Sequence, residues 1–181
     1  MENDTKEKFS SWMYNVRDQF KDKSKEEIID VLNNTKSPFS VLMSQIVGDF
    51  NIGSVFRTAN AFNAKELFYF GKKKIDRRGC VGVYNYTPIT HLSSHEEILA
   101  LKSKYRFVAL EQTSNSVMIN NYSWHDNSLI IIGEEGYGLT KEILDMCDDF
   151  VEIPMMGTVR SFNAAVAGSI AMYDFCNKKV F

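Results

Sequence analysis

Three polar constellations in this chain of 181 residues could carry chemistry. Each lies where a strand is expected to hand over to a helix. The first is Asn51-Ile-Gly53-Ser-Val-Phe56-Arg57-Thr58-Ala59, with an amide and a guanidinium at the opening of a helical pattern. Helix geometry alone reads Asn51 as an N-cap and Arg57 as a solvated side chain, since Arg57 falls about 100° beyond Phe56 and off the apolar stripe. The second is Gly133-Glu134-Glu135-Gly136-Tyr137-Gly138-Leu139, directly after the apolar run 129–132. Glycine-rich turns at the carboxyl ends of strands are where open α/β sheets bind ligands. Gly133 and Gly138 have the spacing of a phosphate-binding loop, but Leu139 stands where that loop needs Lys, and the third glycine of a dinucleotide fingerprint is missing. Glu134 and Glu135 would repel phosphate, so a ligand here is expected to be cationic or neutral. A tight turn without a ligand fits equally well.

The third constellation opens a long helix. A strand over 150–153 is followed by Pro154-Met155-Met156-Gly157 and a helix expected to begin near Ser161. Placing Phe162 at zero and advancing by about 100° per residue gathers Val166, Ser169, Ile170 and Tyr173 on one side. Ala164, Ala167, Gly168 and Ala171 gather on the other. Such a helix is expected to be buried all round, its small stripe permitting close backbone approach to another element or another subunit. Arg160, Ser161 and Asn163 at its mouth could meet a ligand beside helical N–H groups. Ser161 as an ordinary N-cap is the simpler reading.

Elements that could position these groups follow from periodicity. Strands are expected over 39–47, 66–70, 106–110, 129–132 and 150–153. Helices are expected over 26–32 behind a Ser24-x-x-Glu27 capping box, over 51–63, from a Ser94-x-x-Glu97 box to about 103, and over 141–146 behind Thr140. Residues 2–25 carry Phe9, Trp12, Met13, Val16 and Phe20 at helical spacing, an amphipathic helix packed on the body or on a partner. Residues 72–90 read as irregular and basic. Alternating strands and helices specify an α/β domain with a mostly parallel sheet flanked by helices. The expected organisation is a helical appendage over 1–36 and one domain over 37–181, with no internal repeat or low-complexity tract.

Composition narrows the class. A hydrophobic fraction of 44% with 13% aromatics is that of a folded domain, not a disordered chain. Cys80, Cys147 and Cys176 are scattered and odd in number, which favours reduced thiols in a cytoplasmic setting over a disulfide framework or a zinc site. The charged opening MENDTKEKF does not read as a secretory signal, and no apolar run is long enough to cross a bilayer. His91 and His95 lack the HExxH pattern, so no metal is expected. A net charge of −2 argues against a nonspecific nucleic-acid binder but leaves room for a local basic patch. The densest basic run, Lys72, Lys73, Lys74, Arg77 and Arg78 followed by Tyr84 and Tyr86, is such a patch and a candidate for phosphate contact.

Taken in order, Asn51-x-Gly53-x-x-x-Arg57-Thr58-Ala59, Gly133-x-Glu135-Gly136-x-Gly138-Leu139 and Ile153-Pro154-Met155-x-Gly157-x-x-x-Ser161-x-Asn163 resemble the three motifs of the SpoU (TrmH-type) RNA 2′-O-ribose methyltransferases of the SPOUT superfamily. The resemblance runs from about residue 39 to the C-terminus. It implies a C-terminal segment threaded into a deep trefoil knot, S-adenosylmethionine held among the knot loops, and a homodimer whose interface builds the active site. It assigns Leu110, Gly133, Gly136, Ile153, Met155, Ser161 and Phe162 to the cofactor. Arg57, Asn51, Glu135, Ser161 and Asn163 fall at the catalytic centre, with Asn51 bracing Arg57. Phe162 stands where the family usually has Leu, and Ala164-Ala165 where Val-Ser is common. The implied activity is methyl transfer to a ribose 2′-oxygen of structured RNA, transfer RNA being favoured over ribosomal RNA. A noncatalytic, knotted RNA-binding protein is the alternative, disfavoured by the intact Arg57, Glu135, Ser161 and Asn163.

Overall fold

Alternation of side chains along the central strands decides the architecture. The computed structural model describes residues 16–44, 49–71, 74–134 and 136–181, with backbone alone at Asp49, Phe50 and Arg77. In β1 (Phe39–Ser44) the side chains of Phe39, Val41 and Met43 enter one apolar cluster and Leu42 enters another. In β6 (Ser128–Ile132), Ile130 and Ile132 join the first cluster while Leu129 and Ile131 join the second. A strand with both faces apolar must be covered on both. The remaining strands are β2 (Leu67–Phe70), β3 (Ile89–Leu92), β4 (Arg106–Leu110), β5 (Val117–Met118) and β7 (Asp149–Glu152). They form one sheet in the order β3-β2-β1-β6-β4-β7-β5, and every pairing is parallel. The expected α/β class with a parallel sheet is what the chain adopts. Two late strands enter between neighbours laid down earlier: β6 lies between β1 and β4, and β7 between β4 and β5.

Helices α1 (Lys25–Asn34), α2 (Asp49–Ala61), α3 (His95–Ala100), α4 (Lys141–Leu144) and α5 (Ala164–Lys179) surround the sheet. The expected capping box of α1 is present, Ser24 Oγ accepting from Glu27 N–H at 3.2 Å and Glu27 Oε2 from Ser24 N–H at 2.7 Å. On one face of the sheet α2 and α5 cross at close range. A Cβ on Gly53 would lie 2.6 Å from the backbone of Gly79, and one on Gly168 would lie 2.6 Å from Ile132 Cδ1. Position 53 therefore requires glycine, because backbone blocks it, whereas at position 168 the obstacle is the end of the Ile132 side chain.

Several expectations need correction. The long C-terminal helix starts at Ala164, not near Ser161, because Asn163 rather than Ser161 is its N-cap. It is not buried all round. Its small stripe of Ala164, Gly168 and Ala171 faces the core with Met172 and Phe175, while Val166 and Tyr173 are 48% and 57% exposed. Small residues let the helix sit close on β6, and that places its large apolar residues outward. Residues 72–90 are not wholly irregular, since β3 extends the sheet beside β2. Of the helix expected over 2–25, Phe9, Trp12 and Met13 lie outside the described residues, and within them the chain makes only a 3₁₀ turn at Asp18–Phe20. Short β5 escaped notice because two exposed residues carry no periodicity.

The edge of the sheet away from the site is tied by charge. Asp149 at the start of β7 accepts from Arg106 Nε at 2.5 Å and Nη2 at 2.9 Å, and from the Tyr122 hydroxyl at 2.8 Å. The Arg106 guanidinium, and after it the Tyr122 hydroxyl, hold the Asp149 carboxyl below the usual carboxylate range despite the opposing effect of partial burial. Burial and the neighbouring carboxylate push the Tyr122 hydroxyl up. A depressed carboxyl favours the folded state above the unfolded value near about 4. That contribution disappears as pH falls through the lower folded value. Asp149→Asn is expected to cost about 1–2 kcal/mol at pH 7, screening at the exposed Arg106 keeping it modest. Urea melts of both proteins should converge as pH is lowered below about 4.

Candidate functional site

Three strands end side by side and their loops enclose one cleft. β4 ends at Leu110, β6 at Ile132 and β7 at Glu152. Beyond them lies a space of about 320 Å³ walled by Leu110, Glu111 and Gln112 after β4, by Gly133, Glu134, Gly136, Tyr137 and Gly138 after β6, and by Ile153, Arg160, Ser161 and Phe162 after β7. This is the position at which open parallel sheets receive ligands. Adjacent parallel strands in register deliver their loops to one edge, as the pairing of Leu110 with Ile132 and with Val151 does here.

The loop after β6 folds back on itself. Gly138 N–H donates to Glu134 O at 2.9 Å and Glu134 N–H to Gly138 O at 3.3 Å. Gly138 adopts φ +67°, and a Cβ on Gly133 would lie 2.5 Å from the carbonyl carbon of Gly138. Backbone, rather than side chain, therefore forms this wall. The carboxylates of Glu111, Glu134 and Glu152 border the cleft and Arg160 contributes a cation, a balance that suits a cationic or neutral ligand and disfavours a polyphosphate. The hydroxyl of Ser161 and the ring of Phe162, 36% exposed, complete the side nearest α5.

The polar groups of the first and third constellations meet outside this cleft. Asn163 Oδ1 accepts from the N–H groups of Ala165 at 3.0 Å and Val166 at 3.3 Å, capping α5. Its Nδ2 donates to Asn51 Oδ1 at 3.1 Å, which links the opening of α5 to that of α2. About two turns onward Thr58 Oγ1 and Ser169 Oγ are 3.1 Å apart, a second link between the same helices. Within the chain the hydrogen-bond partner of Asn51 is Asn163, not the Arg57 that the family resemblance pairs with it. Arg57 is exposed on α2 and borders a different groove, shared with Phe20, Phe62 and Tyr86.

Six of the seven residues assigned to the cofactor, Leu110, Gly133, Gly136, Ile153, Ser161 and Phe162, line the one cleft. Met155 belongs to the same loop but is not part of the wall. Glu135, Lys72 and Lys73 lie outside the described residues, as does the side chain of Arg77. Lys74 is exposed, whereas Arg78 is committed to Asp76, with Nε–Oδ2 at 2.8 Å and Nη2–Oδ2 at 2.5 Å. That pair pulls the Asp76 carboxyl down to about 2. His91 Nε2 lies 3.1 Å from Gly71 O and His95 rests on the ring of Phe70, 4.9 Å between centroids. Glu111 and Gln112 were not legible as cleft residues, although their place directly after a strand that ends at the site was the available signal.

Known proteins share both sequence and fold with this chain. A Staphylococcus aureus (strain COL) protein named for the TrmH family of tRNA/rRNA methyltransferases is 27% identical over 170 residues, covering 90% of this chain and 65% of the relative. The chain spans between about half and two thirds of the length of the curated relatives it matches. Its fold resembles the A. aeolicus TrmH/SpoU tRNA modifying enzyme, with a TM-score of 0.76 at 24% identity over 85% of this chain and 81% of that one. It also resembles the SpoU methyltransferase AviRb from Streptomyces viridochromogenes, solved in complex with the cofactor AdoMet, with a TM-score of 0.70 at 25% identity over 78% of this chain and 58% of that one. The model of the SpoU rRNA Methylase family matches residues 38–173, about three quarters of the sequence, and the chain belongs to that family.

Proposed function

We propose that this protein transfers a methyl group from S-adenosylmethionine to a ribose 2′-oxygen of structured RNA, with transfer RNA favoured over ribosomal RNA, as a cytoplasmic homodimer. The observation that carries the reading is the cleft at the ends of β4, β6 and β7, where six residues named from the family motifs converge. Its chemistry suits the cofactor. The backbone wall around Gly133 has no room for a side chain, and carboxylates border a space meant for a sulfonium cation. S-adenosylmethionine supplies an activated methyl group whose departure leaves a neutral thioether. Leu110, Ile153 and Phe162 offer apolar surface for its base, Gly133 and Gly136 offer backbone groups, and Ser161 a hydroxyl.

Arg57, Asn51, Glu135, Ser161 and Asn163 are read as the catalytic centre. A guanidinium holds its proton at any physiological pH, so Arg57 serves by binding an RNA phosphate and stabilising the alkoxide that develops at the 2′-oxygen. Asn163 keeps Ser161 at the cleft mouth by fixing the start of α5 against Asn51. Partial shielding by the walls of the cleft favours a reaction in which charge at sulfur disappears.

Arg57 borders a groove other than the cleft, so one chain does not gather the whole set. The outward face of α5, with Val166, Ile170 and Tyr173 beside Asn51, Ser54 and Asn163, is an apolar patch continuous with the catalytic amides. A second copy seated there would cover it and bring an Arg57 toward the neighbouring cleft. The late insertion of β6 and β7 between earlier strands supports a threaded, trefoil-knotted C-terminal segment. Residues 37–181 form the methyltransferase body in this reading and residues 1–36 an appendage. Lys72, Lys73, Lys74, Arg77 and Arg78 are its RNA-facing patch, with no metal required.

Incubation of total RNA with labelled S-adenosylmethionine, followed by mapping of the modified nucleotide, tests the reading. A 2′-O-methylated nucleotide supports it, and label on a base carbon or nitrogen, or RNA capture without label, overturns it. Arg57→Ala is expected to lower methyl incorporation about 100-fold or more while cofactor affinity, read by calorimetry, stays within about twofold. Replacing Lys72, Lys73 and Lys74 with Gln should weaken RNA binding and flatten the slope of log affinity against log salt by up to about 2. Equal loss of cofactor affinity would mark a folding defect instead.

A further inference from the structure

Two adjacent side chains that follow β4 reach the two loops of the cleft. The backbone N–H of Glu111 donates to Val151 O at 3.0 Å, which fixes the end of β4 against β7. From that point Glu111 Oε2 accepts from Leu139 N–H at 2.9 Å, at the close of the loop after β6. Its Oε1 accepts from the N–H of Gln112 at 3.1 Å, which holds the carboxylate in the orientation that reaches Leu139. Gln112 turns the other way, and its Nε2 donates to Arg160 O at 3.3 Å, in the loop before α5. Gly138 belongs to the same arrangement, because a Cβ there would collide with the Glu111 carboxylate.

We propose that Glu111 and Gln112 are positioning residues that bracket the cleft, Glu111 setting the loop 133–139 and Gln112 the loop 154–163 at the separation the ligand needs. The inference rests on the cleft being the cofactor site. A charged acceptor on a backbone N–H is among the stronger hydrogen bonds of a protein, and the acceptor here is anchored to β7 through the Glu111 N–H. The paired Glu134 and Gly138 backbone groups close the loop on itself, Leu139 is its buried anchor, and the Glu111 carboxylate ties that anchor to the end of β4. A cofactor held largely by backbone groups is sensitive to that height, since side chains cannot adjust to compensate.

The experiment measures S-adenosylmethionine affinity by calorimetry, with no RNA present, for the full chain and for Glu111→Ala, Glu111→Gln and Gln112→Leu. Amide exchange of the free proteins is followed at Leu139. Glu111→Ala is expected to weaken the cofactor about tenfold and to speed exchange at Leu139. Glu111→Gln, which keeps an acceptor oxygen, should restore most of both, and Gln112→Leu should weaken the cofactor without changing exchange at Leu139. Thermal melts identify any variant whose loss is global unfolding, and Glu111→Gln then serves as the internal control. Unchanged affinity and exchange in Glu111→Ala, or a loss in Glu111→Gln as large as in Glu111→Ala, would overturn the bracket. Failure of the unsubstituted chain to bind S-adenosylmethionine would overturn the functional reading itself, while the exchange result still decides whether Glu111 holds the loop.

Discussion

Close contact between α5 and the sheet is the constraint on which the rest depends. Gly168 lies against Ile132 and Val55, and a Cβ there would sit 2.6 Å from Ile132 Cδ1, so the end of that side chain would have to turn aside. Ile132 is the last residue of β6, so the contact lies directly beneath the Gly133 turn. The same helix is anchored at its far end, where Trp124 Nε1 donates to Asp174 at 2.7 Å and Lys178 Nζ to Ile119 O at 2.6 Å. Fixing both its height and its tail leaves α5 little freedom, and its N-cap, Asn163, is held accordingly. Adding one methyl group at position 168 would displace the end of the Ile132 side chain directly beneath the loop that forms the cleft wall.

That economy has a consequence for the outer face. With the small residues inward, Val166 and Tyr173 are turned to solvent, beside a partly buried Ile170 and polar groups from α2. In an isolated chain such a surface is unfavourable by about 25 cal/mol for each Å² of apolar area left wet. A second copy seated on this face would relieve that cost, which is the packing argument for the proposed dimer. Arg57 on the neighbouring helix then needs no separate explanation for standing apart from the cleft of its own chain.

Period and punctuation made most of the fold legible. The boundaries of β4 and the capping box of α1 emerged from the sequence because local signals, alternating apolar residues and Ser-x-x-Glu, determine them. The cleft residues were legible through a family pattern that no periodicity contains. Where the reading failed, tertiary contact had overruled local preference. Ser161 and Asn163 are both good N-caps, and the hydrogen bond to Asn51, distant in sequence, accompanies the choice of Asn163. The wholly buried helix was misjudged because a stripe of large residues does not say which side the sheet will take. Glu111 and Gln112 were missed for a related reason: their roles lie in bonds to residues 28 and 48 positions away.

Electrostatics and shape contribute to this cleft in unequal parts. Carboxylates at the ends of three strands border it, and an attraction of one carboxylate for a cation amounts to about 1 kcal/mol at 4 Å in bulk water and several times that at a partly shielded protein surface. Since the cleft is open and Arg160 opposes them, the smaller figure applies, and the carboxylates bias the site toward a cation without fixing its pose. The pose must come from the rigid parts: the Gly133 wall, whose position is set by steric contact with Gly138, and the apolar edges of Leu110, Ile153 and Phe162. Those parts are indifferent to ligand charge. A ligand that loses its positive charge during reaction would therefore keep its shape complementarity and lose only the electrostatic share, which eases its release without any movement of the loops.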